Sequence, residues 1–184
     1  MEIRHVIAND TSSVSAIANS IRLDPRKPQE SGFLIYVLDR ESYSRRIASS
    51  RYFLVAQEKN DVIGFAMCYD TATLLNLRDQ GELSHEDKIV DFLARQGGSF
   101  IFCDQIGIEF QHARKCVGES LMRKVFQEMR RNNISNIYAI ISHKPLKNEA
   151  SVAFFKKIGF RFTMEIENND GRIFGLYQKT TEGK

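Results

Sequence analysis

The chain has 184 residues, of which 42% are hydrophobic and 27% charged, with a formal net charge of +3. That length fills one core rather than two, and the apolar content is too high for wholesale disorder. No apolar run nears the roughly 20 residues that span a bilayer. Residues 1–5 carry no signal-peptide core, and the three cysteines form no CxxC pair, so a cytoplasmic protein without structural disulfides, metal or membrane partner is expected.

Along the chain, Asp10-Thr11-Ser12-Ser13 offers N-cap residues, and Val14, Ile17, Ala18 and Ile21 follow at helical spacing. This predicts a helix over about residues 11–22, broken by the prolines at 25 and 28. A second helix is expected around Ser44. Residues 53–56 and 62–67 are apolar runs flanking Glu58-Lys59-Asn60-Asp61, the pattern of an antiparallel hairpin. Within the long connection 71–98, Ile89, Val90, Phe92 and Leu93 predict one helix, opened by Ser84 and closed by Gly97-Gly98. Residues 100–108 read as a buried strand. Val117, Leu121, Met122, Val125, Phe126 and Met129 then share one helix face. A strand over 134–141 and a helix over 148–157 ending at Gly159 follow. Strands over 160–166 and 172–178 close the chain, joined by Asn168-Asn169-Asp170-Gly171. Strand, helix, strand at this spacing is a parallel crossover, and the hairpins on either side are antiparallel, so one domain with a mixed sheet is expected.

The chemistry concentrates after residue 108. The loop Glu109-Phe110-Gln111-His112-Ala113-Arg114-Lys115-Cys116 runs into a helix through Val117, Gly118 and Glu119. Such a junction aims the helix's free N–H groups at one point, where the helix dipole favours negative charge. Gly118 permits close backbone approach and Arg114 and Lys115 add positive charge, so the loop reads as a pyrophosphate cradle. It is neither GxxxxGK[ST] nor GxGxxG.

With that loop in this order of elements, the chain resembles the GNAT (GCN5-related N-acetyltransferase) superfamily over nearly its whole length. The family's Q/R-x-x-G-x-G/A motif aligns with Ala113-Arg114-Lys115-Cys116-Val117-Gly118. Its N-x-x-A-x-x-F-Y-x-x-x-G-F signature aligns with residues 148–160, with Asn148, Phe154, Gly159 and Phe160 in place. The resemblance implies an α/β (α+β) fold. Its central sheet would be mixed and mostly antiparallel, with a parallel strand pair at the splayed centre and helices on both faces. It implies acetyl-CoA or another acyl-CoA as co-substrate, no metal, and direct attack of a primary amine on the thioester. Ile106, Gly107 and Ile108 would offer backbone hydrogen bonds to the pantetheine arm. Arg114, Lys115, Cys116, Val117, Gly118 and Glu119 would hold the pyrophosphate, and Asn148 and Phe155 would lie along the cofactor arm.

Three residues depart from the family pattern. Ala113 stands where Gln or Arg is usual. Cys116 replaces the first motif glycine, a place cysteine is expected to fit only with the backbone at negative φ. Phe155 stands where many members carry the Tyr that protonates the leaving thiolate, and phenylalanine cannot do so. The chemistry also needs a base and a polarising donor. Asp104 is the only carboxylate inside its strand, on the face of Phe102, Ile106 and Ile108 by alternation. It is a candidate base, weighed equally against a structural Asp satisfied by backbone or paired with a lysine. His143, placed just after the second parallel strand, is the second candidate, against the reading of a surface histidine. His112 in the loop faces phosphate or solvent. Cys116 as a nucleophile is set aside, because no His–Asp arrangement accompanies it.

An alternative function is a catalytically silent acyl-CoA-binding module of the same fold, acting as sensor or structural subunit. Phe155 favours it and Asp104 opposes it. The basic residues lack the aromatic-interleaved stripe of a nucleic-acid binder. The acceptor stays open among small amines, amino acids, peptide N-termini and protein lysines, with residues 25–50 and 71–98 shaping its site by analogy with the family. Phe174, Leu176 and Tyr177 on the last strand offer a face for a homodimer.

Overall fold

The computed structural model describes residues 1–24, 26, 33–83 and 87–181. Its elements in chain order are β1 (Glu2–His5), α1 (Thr11–Ser20), α2 (Arg40–Ser49), β2 (Phe53–Glu58), β3 (Asp61–Asp70), α3 (Thr71–Asp79) and α4 (Asp87–Ala94). Then come β4 (Phe100–Ile108), α5 (Val117–Arg131), β5 (Asn136–Lys144), α6 (Glu149–Lys157), β6 (Arg161–Glu167) and β7 (Ile173–Thr180). The fold is α+β, with one mixed sheet in the order β1-β2-β3-β4-β5-β7-β6 and β4–β5 as a parallel pair. The chain gathers into two compact units, Met1–Cys68 with Gln105–Glu128, and Tyr69–Asp104 with Met129–Lys184.

In the first unit β1, β2 and β3 form an antiparallel meander. Its registers run from Glu2↔Gln57 to His5↔Leu54 and from Phe53↔Met67 to Glu58↔Asp61. The predicted hairpin is therefore present, with Lys59 at φ 55° supplying the left-handed turn residue. Helix α1 buries Val14, Ile17 and Ala18, as the spacing requires. It starts without the expected cap, because Asp10 is engaged elsewhere. Its carboxylate accepts from Arg4 Nη1 at 2.7 Å, Arg4 Nη2 at 2.9 Å and the Ile7 amide at 2.9 Å. The Arg4 guanidinium holds the Asp10 carboxyl below the usual carboxylate range. Helix α2 is capped by Asp39, which accepts from the Ser42 amide at 2.7 Å. The prolines expected to break α1 lie outside the described residues.

The second unit differs from expectation in its helices. The described residues of 71–98 hold two helices where one was expected. α3 escaped notice because it buries only Leu74 and Leu77, although its cap was legible: Asp70 accepts from the Thr73 amide at 2.9 Å. Ser84 lies outside the described residues. The β5–β7 register runs from Asn136↔Thr180 to Lys144↔Ile173, and β7 also pairs with β6. Phe174, Leu176 and Tyr177 are buried, and β7 lies between two other strands, so these side chains offer no face to a second copy. Cys68 and Cys103 are buried and free, as expected.

Gly64 in β3 explains how the loop after β4 is seated. A Cβ there would lie 2.8 Å from Ile108 Cδ1, 3.0 Å from the Gly107 carbonyl oxygen and 3.3 Å from Val117 Cγ1. The missing side chain makes room for the end of β4 and the first residue of α5. Because a backbone carbonyl cannot yield as a side chain would, Gly64→Ala is expected to destabilise the protein by about 1–3 kcal/mol in urea unfolding. Unchanged stability would mean that this packing is looser than described.

Candidate functional site

The end of β4 is tied to the sheet by the Glu109 amide, which donates to the Ile63 carbonyl at 3.0 Å. The chain then makes a 3-10 turn over Phe110–His112 and leaves the sheet. Two residues of the next four adopt left-handed backbone, Arg114 at φ 62° and Cys116 at φ 60°. This corrects the expectation for Cys116, which occupies the motif glycine's place at positive φ rather than avoiding it. Cysteine tolerates the conformation because it is not β-branched, at a cost of about 1–2 kcal/mol. Strain of this kind persists where surrounding structure imposes it, and it gathers at ligand sites.

Arg114 follows an extended residue, Ala113 at φ −57° and ψ 145°, and the two left-handed residues turn the chain sharply into the helix. The first bond of the α5 ladder runs from the Ser120 amide to the Cys116 carbonyl at 3.0 Å. The amides of Val117, Gly118 and Glu119 therefore precede the ladder and point out of the helix start. Val117 is buried and anchors the turn, while Arg114, Lys115 and Cys116 are exposed. The exposed Arg114 and Lys115 thus sit in sequence directly before a helix N-terminus, a set of residues that suits a pyrophosphate. The loop His112 does not face that point. Its side chain is turned inward, 16% exposed, between Glu58 and Glu109.

Ile106 and Ile108 are half-buried and Gly107 buried, with a Cβ on Gly107 colliding with the Phe65 ring. The parallel register of β4 with β5 runs only from Phe100↔Asn136 to Cys103↔Ala139, although β4 continues to Ile108. Sequence reasoning missed Gln105. Its buried side chain accepts from Tyr43 Oη at 3.0 Å and donates to the Tyr36 carbonyl at 2.9 Å. The signal was there, since alternation puts a polar residue on the buried face of an apolar strand.

In the second unit, Asp104 is half-buried and accepts a 3.0 Å hydrogen bond from Tyr69 Oη. His143 lies inside β5 rather than after it, and it is no surface residue. Its side chain is 9% exposed, with Nδ1 2.7 Å from Glu165 and Nε2 3.1 Å from Tyr177 Oη. Burial pushes the Tyr177 phenol up, which keeps its proton in place to donate to Nε2 when Nδ1–H faces Glu165. The imidazole stacks on Phe162 and fits because residue 175 is glycine, where a Cβ would collide with the ring. Asn148 caps α6, its Oδ1 accepting from the Ser151 amide at 2.9 Å, which leaves its NH₂ group for other work. Phe155 is buried edge-on against Phe154 and Phe160, as a core residue.

Residues 15–160 match the Acetyltransferase (GNAT) family. The chain belongs to this family of acetyl-CoA-dependent acetyltransferases. No curated protein matches it. Among solved structures it is similar to Ard1 from Thermoplasma volcanium, at 15% identity and a TM-score of 0.71, over 98% of this chain and 97% of that one. It is similar to Naa50 from Arabidopsis thaliana, solved with the bisubstrate analogue CoA-Ac-MVNAL, at 16% identity and a TM-score of 0.65, over 98% of both chains. It is also similar to the PaiA N-acetyltransferase from Thermoplasma acidophilum, solved with coenzyme A, at 16% identity and a TM-score of 0.64, again over 98% of both. At these identities the likeness shows the fold. Among the described residues no helix is long and apolar enough to cross a membrane.

The left-handed backbone at Cys116 has a direct consequence for stability. Cys116→Gly is expected to match or exceed wild type by up to about 1 kcal/mol in thermal unfolding, relief of strain outweighing the flexibility glycine adds to the unfolded chain. Cys116→Val should lose about 1–2 kcal/mol, because a β-branched residue fits this conformation worst. Equal stability of the two variants would contradict the assigned backbone.

Proposed function

We propose that the protein transfers an acetyl group from acetyl-CoA to a primary amine, which attacks the thioester directly. The observation that carries this reading is the turn through left-handed Arg114 and Cys116 into the start of α5, where the Val117 and Gly118 amides precede the helical ladder. On this reading these amides and the Arg114 and Lys115 side chains hold the CoA pyrophosphate. The backbone of Ile106 to Ile108 and the Asn148 NH₂ group serve the rest of the CoA arm, and the bound molecule supplies an activated acyl thioester. Phe155 contributes only an apolar wall.

The attacking amine must be neutral. Asp104, steadied by the Tyr69 hydroxyl, takes the amine's proton directly or through one water as the C–N bond forms and the C–S bond breaks, and CoA departs as the thiolate, which takes a proton from water. His143, steered by Glu165 and bonded to Tyr177, is the second proton-handling group. A peptide amine is the first acceptor class to test, because Naa50 was solved with an analogue that joins CoA to a peptide. A second reading, a silent acyl-CoA-binding module, draws support from Phe155, which has no proton to give a departing thiolate.

Titration calorimetry with acetyl-CoA and free CoA is expected to give saturable binding at one site, lost in a folded Gly118→Trp variant. Wild type that binds neither at millimolar ligand, or a variant that binds normally, would overturn the cradle. Asp104→Asn should lower kcat toward a peptide amine by about a hundredfold while leaving acetyl-CoA affinity unchanged. A rate equal to wild type across the pH range would remove Asp104 from the chemistry.

A further inference from the structure

We propose that His112 is a positioning residue for CoA binding. Its imidazole, wedged between Glu58 at the end of β2 and Glu109 at the end of β4, fixes the turn from which Arg114 and Cys116 enter their left-handed conformations. The proposal rests on the reading that this loop holds the CoA pyrophosphate.

Among the loop's side chains, Gln111, Ala113, Arg114, Lys115 and Cys116 are exposed, and the Phe110 ring is 87% exposed. His112 alone of residues 110–116 turns inward. Its Nδ1 lies 3.2 Å from Glu109 Oε2 and its Nε2 3.5 Å from Glu58 Oε2. The ring faces a cleft of about 530 Å³, walled by Ser13, Ile17 and Ser20 of α1 and by the hairpin residues Lys59 and Asp61. A phosphate held at the start of α5 would thus meet the loop's far side.

The imidazole acts on the cradle through the backbone. The His112 amide donates to the Glu109 carbonyl at 2.9 Å, and the His112 carbonyl accepts from the Lys115 amide at 3.4 Å, between the two left-handed residues. Glu109 is held in turn by its own amide on Ile63 and by Gln111 Nε2, which donates to Glu109 Oε2 at 3.0 Å. Glu58 belongs to the β2–β3 hairpin, so the ring straps a loop that leaves the sheet back onto a strand end. His112 Nδ1 lies beside Glu109 Oε2, which also accepts from Gln111 Nε2, so the ring and the amide share one carboxylate. A metal does not explain the group, since the described His, Cys, Asp and Glu side chains form no cluster of three that could hold one.

The test is titration calorimetry of CoA with His112→Ala, His112→Gln, Glu58→Gln and the double variant H112A/E58Q, each with its melting temperature. His112→Ala is expected to bind CoA about tenfold more weakly with its melting temperature preserved, and to raise KM for acetyl-CoA without lowering kcat. His112→Gln, which keeps a donor within reach of the carboxylates, should recover most of the affinity. The double variant should bind no more weakly than H112A, because both changes undo one contact. A folded H112A with wild-type affinity, or fully additive losses in the double variant, would overturn the proposal while leaving the CoA site standing. Wild type that fails to bind CoA would overturn both. Should H112A not fold, Glu58→Gln carries the test, since the Glu58 side chain is about half exposed and unchanged affinity there would refute the strap.

Discussion

The backbone reversal between β4 and α5 is the constraint on which the rest of the first unit depends. A chain leaving the end of a strand can enter a helix by many routes, but this one passes through two left-handed non-glycine residues within three positions. Each costs about 1–2 kcal/mol, so the neighbours must hold the loop there. They do so on three sides. Gly64 opens a space that Ile108 and Val117 fill, the Glu109 amide locks onto Ile63, and His112 is lodged between two carboxylates. What the chain gains is a helix start whose first amides precede the helical ladder and whose flanking side chains are cationic.

The second unit is organised around polar groups set into an apolar sheet. His143 is oriented by Glu165, meets Tyr177, and has space only because residue 175 is glycine. Asp104 receives the Tyr69 hydroxyl. Burying such groups costs free energy unless each finds a partner, and both are partnered with good geometry. Phe155 shows the opposite solution at the place where the family often keeps a tyrosine. With no hydroxyl to satisfy, its ring packs edge-on with Phe154 and Phe160. On the proposed function, proton handling falls to groups other than Phe155, with Asp104 and the His143–Tyr177 pair as the candidates.

Much of this was legible in the sequence because the elements differ in period. The apolar run 100–108 became β4 with those same bounds, and the helical stripe from Val117 to Met129 became α5. Asn148 and Gly159 marked both ends of α6. Features that depend on partners distant in sequence were not legible. Alternation correctly grouped Asp104 with Ile106 and Ile108 but could not name Tyr69 as its donor. No spacing rule joins His143 to Glu165 or His112 to Glu58, which lie on different strands and loops. Cys116 misled for a local reason: glycine's freedom at positive φ is a preference worth about a kilocalorie, and a well-braced loop overrides it. Helix α3 was hidden by its thin apolar stripe, with Asp70 as the one clue.

If the amides at the start of α5 receive the CoA pyrophosphate, their chemical shifts read it directly. In ¹⁵N-labelled protein titrated with CoA, saturable shifts of the Val117, Gly118 and Glu119 amides are expected, with Arg114 and Cys116 moving in step. Saturable binding that shifts other residues and leaves these amides unmoved would contradict it.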